Sequence, residues 1–244
     1  MTDDVLSGLS AMMREERGGG EPLITSLEAV DVWTEGLTAW GFARLSRQFP
    51  ELQQLTVKLE LTQRSGQALD LPPVEPFANL RRLAVTRMIY PYGGDASTHL
   101  SSGHAASVVS SLLVACPRLE SLQLTHGVMY RSSVEVARIG LPPLPSLGGA
   151  LGKLPRTLHT LVLEDFNLAD SSFDACDLPE VRAVALLNCG DASEQLRSSL
   201  LTRFAATLDP IRCVVDKNRS EIKKTGEIKK TFGMADENGF WKKP

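Results

Sequence analysis

Cys116-Pro117-Arg118-Leu119-Glu120-Ser121-Leu122-Gln123-Leu124 places three leucines at the first, fourth and sixth positions of a unit introduced by a proline. The same spacing of apolar residues recurs at Leu52, Leu55 and Val57; at Leu80, Leu83 and Val85; at Leu158, Leu161 and Leu163; and at Val181, Val184 and Leu186. Successive side chains of a strand point to opposite faces. The fourth and sixth residues of each unit therefore share one face, and the third, fifth and seventh share the other. A single unit cannot bury its own apolar face, so the recurrence predicts copies that stack around a common core.

The lead residues Leu52, Leu80, Leu119, Leu158 and Val181 stand 28, 39, 39 and 23 residues apart, which requires connections of unequal length. Most leads share an approach: Phe49-Pro50-Glu51, Cys116-Pro117-Arg118, Leu154-Pro155-Arg156 and Leu178-Pro179-Glu180, with Pro76-Phe77-Ala78-Asn79 as a variant. Proline holds φ at about −65°, stops a preceding helix and opens a strand without breaking its ladder, so the chain is expected to turn the same corner repeatedly. Helical spacing of apolar residues fills several connections. It covers residues 36–49 behind Thr34 as N-cap, 95–115 after Pro91-Tyr92-Gly93-Gly94, a short stretch near 147–151, and 193–207 behind Asp191. Residues 23–32 read as a capping strand or a degenerate first unit, and residues 209–215 as a terminal strand that closes an open edge.

With 244 residues and 43% apolar content, the chain suffices for one substantial core. The reading divides it into a flexible N-terminal arm (1–21), a repeat domain with capping units (22–215) and a basic C-terminal tail (216–244). The arm carries Arg14-Glu15-Glu16-Arg17 and Gly18-Gly19-Gly20 and buries too little apolar surface to offset its ordering entropy. The tail holds eight Lys or Arg against five acids, a net +3 that leaves −6 on the rest of a chain whose total is −3. That acidic body offers no strong nucleic-acid footprint. No run of about 18 apolar residues predicts a membrane span, and Met1-Thr2-Asp3-Asp4 does not start like a signal peptide. Cys116, Cys176, Cys189 and Cys213 contain no C-x-x-C pair and read as buried thiols. These features point to the cytoplasm or nucleus.

Motifs for chemistry are weak. Gly148-Gly149-Ala150-Leu151-Gly152-Lys153-Leu154 looks like a phosphate loop, but Leu147 replaces its first glycine and Leu154 its hydroxyl residue. His99 and His104 miss the helical zinc spacing, and His126 and His159 read as strand-side surface contacts. Asp165, Asp170, Asp174 and Asp177 lack the glycine and final glutamate of a calcium loop and read as caps and turns. No catalytic, cofactor-binding or metal-ligating residue is assigned, and the chain is expected not to be an enzyme.

The L-x-x-L-x-L sets, the proline before them, the uneven unit lengths and the stretch Cys116 to Leu124 together resemble the leucine-rich repeat region of fungal F-box-type proteins, over about residues 49–215. The resemblance implies an α/β, right-handed leucine-rich-repeat solenoid. It would be a short, irregular horseshoe with parallel strands on the concave face and helices or loops on the convex face. In that family the repeats hold a substrate, while a separate F-box binds a Skp1-like adaptor of a cullin ubiquitin ligase. Here the first 48 residues lack the proline-led start and long apolar helical spacing of an F-box. The family also prefers Asn or Cys at the ninth position of the unit. Only Cys189 fits, with Glu60, Met88, Gly127 and Phe166 at the equivalent places and Asn167 one residue late, so irregular turns are expected.

On such a solenoid the residues between the apolar positions would line the concave sheet, and all of them except Ala84 and Ala183 are expected to contact a protein partner. They form three columns: Gln54, Arg82, Ser121, Thr160 and Ala183; Thr56, Ala84, Gln123, Val162 and Ala185; and Lys58, Thr86, Thr125, Glu164 and Leu187. This face is polar in the early units and apolar in the late ones. The expected role is a protein-protein interaction scaffold, with substrate recognition in an F-box-like ubiquitin ligase as its context. The alternative is peripheral binding to an anionic membrane or nucleic acid through Lys217, Arg219, Lys223, Lys224, Lys229 and Lys230 of the tail.

Overall fold

The computed structural model describes residues 26–28, 37–60, 75–91, 102–129, 144, 146–168, 173–190 and 194–216. Its strands are β1 (Ser26–Glu28), β2 (Leu37–Thr38), β3 (Gln54–Glu60), β4 (Arg82–Pro91), β5 (Ser121–Met129), β6 (Thr160–Glu164), β7 (Ala183–Leu187) and β8 (Cys213–Asp216). They form one sheet in the order β1-β3-β4-β5-β6-β7-β8, with β2 also on β3, and every pairing is parallel. Between them lie α1 (Ala39–Gln48), α2 (Ser102–Ala115), a 3-10 turn (Gly148–Lys153) and α3 (Glu194–Arg203). The fold is thus α/β with a single parallel sheet.

The apolar spacing decides which face of the sheet is packed. None of the fifteen residues that define the five units is more than 1% exposed, and all lie in one cluster with the apolar sides of the helices. Phe42 and Leu45 of α1, Val108, Val109, Leu112 and Leu113 of α2, Ala150 and Leu151 of the 3-10 turn, and Leu196 and Leu200 of α3 supply the opposing layer. Their one-turn recurrence is the reason these segments are helical, since it gathers apolar side chains on one stripe. Burying each aliphatic side chain contributes about 1.5–3 kcal/mol relative to leaving it in water, enough across one cluster to offset much chain entropy.

The corners repeat because the same bond closes each one. Leu52 N–H donates to Phe49 O (3.1 Å), Leu119 to Cys116 O (3.3 Å), Val181 to Leu178 O (3.4 Å) and Arg212 to Asp209 O (2.9 Å). Pro50, Pro117, Pro179 and Pro210 all fall at the second position of these four-residue turns, where a fixed φ is already correct. Before β6 the turn slips by one residue, with Leu158 N–H donating to Pro155 O at 3.1 Å.

Two irregularities interrupt the ladder. Val57 pairs with Val85 but Lys58 pairs with Arg87, and on the other side Val85 pairs with Leu124 while Met88 pairs with His126. Thr86 is the extra residue of a bulge, held by its Oγ1 donating to Val57 O at 3.4 Å. At the exits of β6 and β7, Asp165 (φ 65°) and Asn188 (φ 49°) adopt the left-handed region, and the Asn188 carboxamide donates to the Asp165 carboxylate. Short polar side chains that bond locally tolerate this conformation best. Cys189 follows at the ninth position, where its thiol donates to Leu187 O (3.4 Å) and Leu163 O (3.5 Å).

The exits also come close together. Asn167 forms parallel bridges with Ser146 and Gly190, and a Cβ on Gly190 would stand 2.9 Å from Asn167 Oδ1. Gly190→Ala therefore requires the Asn167 carboxamide to move aside and is expected to cost about 1 kcal/mol or less, the low end of overpacking changes. Adding Asn167→Ala should recover part of that loss in urea unfolding. A double variant no more stable than Gly190→Ala would show that the contact is not what demands glycine.

Among the described residues β8 ends the sheet. The carbonyls of Gln53, Arg81, Glu120 and His159 each accept from the following strand, and Cys213 lies two residues beyond the equivalent position, so its carbonyl faces the outer edge. Arg197 Nε donates to it at 2.9 Å and Arg197 Nη2 to Pro210 O at 3.2 Å. A guanidinium on the edge discourages addition of another strand.

Candidate functional site

The register assembles the face opposite the helices. Gln54, Arg82, Ser121, Thr160 and Ala183 are in line, as are Thr56, Ala84, Gln123, Val162, Ala185 and then Val214. Thr125, Glu164, Leu187 and Asp216 make a third row, with Thr125 Oγ1 donating to Glu164 Oε2 at 3.1 Å. The bulge changes the start of this row: Arg87 stands beside Lys58 where spacing alone places Thr86.

Exposure divides the thirteen expected contact residues. Arg82 is exposed, and Gln54, Lys58, Thr86, Ser121, Thr125, Thr160 and Glu164 are half-buried. Thr56, Gln123, Val162 and Ala185 are 0% exposed and Leu187 is 2% exposed, so these five lie below the accessible surface. Val162, Ala183, Ala185 and Leu187 form a second apolar cluster with Val214 against it, separate from the one that the helices join. The apolar late half expected from sequence is present, but as a buried patch. What the face presents to solvent is its flanking rows.

Two polar side chains in the central row are out of balance. Gln123 Nε2 and Oε1 and Thr56 Oγ1 are buried with no hydrogen-bond partner among the described residues. Each such group forgoes solvation without a replacement, at about 1–3 kcal/mol.

At the start of the strands, polar and charged side chains pair from rung to rung. Arg81 bonds Glu120, His159 Nε2 lies 2.7 Å from Glu180 Oε2, and Arg156 Nε lies 3.0 Å from Asp177 Oδ2. Exposed pairs like these contribute little stability. The Glu180 partner of His159 was not visible in the sequence because it sits one rung away. His126 is not the surface contact expected for it: it is 6% exposed, its ring centroid lies 6.0 Å from that of Phe166, and burial lowers its pKa from 6.5 to about 4.

The remaining motifs have structural uses. Residues 148–153 form a 3-10 turn that buries Ala150 and Leu151 in the core, and Gly148 adopts φ 43° with its N–H donating to Ser146 Oγ. Asp174 pairs with Arg203 and Asp177 with Arg156, while Asp165 caps the strand exit. Among the described residues no group of three His, Cys, Asp or Glu is placed to hold a metal ion, and no helix is long and apolar enough to cross a membrane. All four cysteines are buried and free. Burial pushes Cys116 and Cys189 up to about 12 and Cys176 to about 11, and raises Cys213, so none is a thiolate nucleophile at neutral pH. His99, Asp170, the arm at 1–21 and the basic tail from Lys217 lie outside the described residues.

In class, the molecule is an α/β protein in which helices and turns pack one face of a parallel sheet. Comparison of the chain with protein-family models, with curated proteins and with solved structures finds no match.

Proposed function

We propose that this chain is a short, irregular, right-handed leucine-rich-repeat solenoid that serves as a non-enzymatic scaffold, holding a protein partner across the second face of its sheet. The observation that carries the reading is the register. Five successive parallel strands bring the third residues of each unit into one row, in which Gln54, Arg82, Ser121 and Thr160 reach solvent, with Lys58, Thr125 and Glu164 flanking the buried fifth row on its other side, while the apolar positions fill the opposite face. A row of side chains on a regular backbone is an extended surface suited to another polypeptide.

Arg82→Ala combined with Glu164→Ala is expected to weaken capture of bound proteins about tenfold, or about 1.4 kcal/mol, with little change in melting temperature. Affinity purification of the full chain and the double variant, read by quantitative mass spectrometry, measures this. Equal recovery of the same proteins by both would remove the second face as the contact surface. The resemblance to the repeat region of F-box-type proteins supports substrate recognition in a ubiquitin ligase, for which Skp1-like and cullin subunits should appear among the recovered proteins.

Gln123→Leu is expected to stabilise the isolated chain by about 1–3 kcal/mol, because it removes two unpaired buried polar atoms while keeping bulk. Urea unfolding reads the change. A loss of stability instead would mean that the carboxamide is hydrogen-bonded in solution.

A further inference from the structure

We draw no further inference here: the strongest candidate, the buried second face of the sheet around Gln123, Val162, Ala183 and Ala185, belongs to the site already described, and nothing in the structure shows what covers it.

Discussion

Leu161→Ala is expected to destabilise the fold by about 2–5 kcal/mol, whereas Thr160→Ala, one residue earlier on the same strand, should stay within about 0.5 kcal/mol. Leu161 is 0% exposed on the core face of β6, in register between Leu122 and Val184, so truncation leaves a cavity bounded by neighbouring rungs that cannot collapse independently. Thr160 is half-buried on the opposite face. Urea titrations of both variants measure the contrast as a shift in midpoint at unchanged slope. Equal losses would mean that the alternation does not assign the two faces, and both the core and the proposed contact surface would be lost with it.

Acidification from pH 6.5 to 4 should remove about 3 kcal/mol of stability through His126 alone, because each tenfold change in proton affinity between the folded and unfolded chain is worth about 1.36 kcal/mol. The His126 ring is buried against Phe166, and burial lowers its pKa from 6.5 to about 4. Between those values the unfolded chain binds a proton that the folded chain does not, so stability falls as pH drops through the window and is complete above it. Carboxylates titrate nearby, so the informative quantity is a difference. The gap in unfolding free energy between wild type and His126→Leu should change by about 3 kcal/mol across the window, in favour of the variant at low pH. Parallel profiles would show that His126 is protonated in the folded chain at the same pH as in the unfolded one.

Much of the architecture was legible in the chain itself. The fifteen apolar positions, the period of two along each strand and the recurring prolines are local features, and each acts through local physics: alternate side chains face opposite ways, and a fixed φ pre-sets a turn. The helices are shorter than the spacing suggested. Residues 36–49 hold a helix over Ala39–Gln48, and residues 193–207 one over Glu194–Arg203. The terminal strand at Cys213–Asp216 and the early strand at Ser26–Glu28 fall where capping elements were expected.

What the sequence by itself determined, then, is which residues face the core and where the chain must turn, because burial and backbone geometry act within one unit. Tertiary structure decided what happens between units. Arg87 rather than Thr86 stands beside Lys58, His159 meets Glu180 while His126 is buried, Arg197 covers the Cys213 carbonyl, and Gln123 is buried with no hydrogen-bond partner among the described residues. Each outcome depends on how one rung lies against the next, and units of 23 to 39 residues leave that register to packing rather than to spacing.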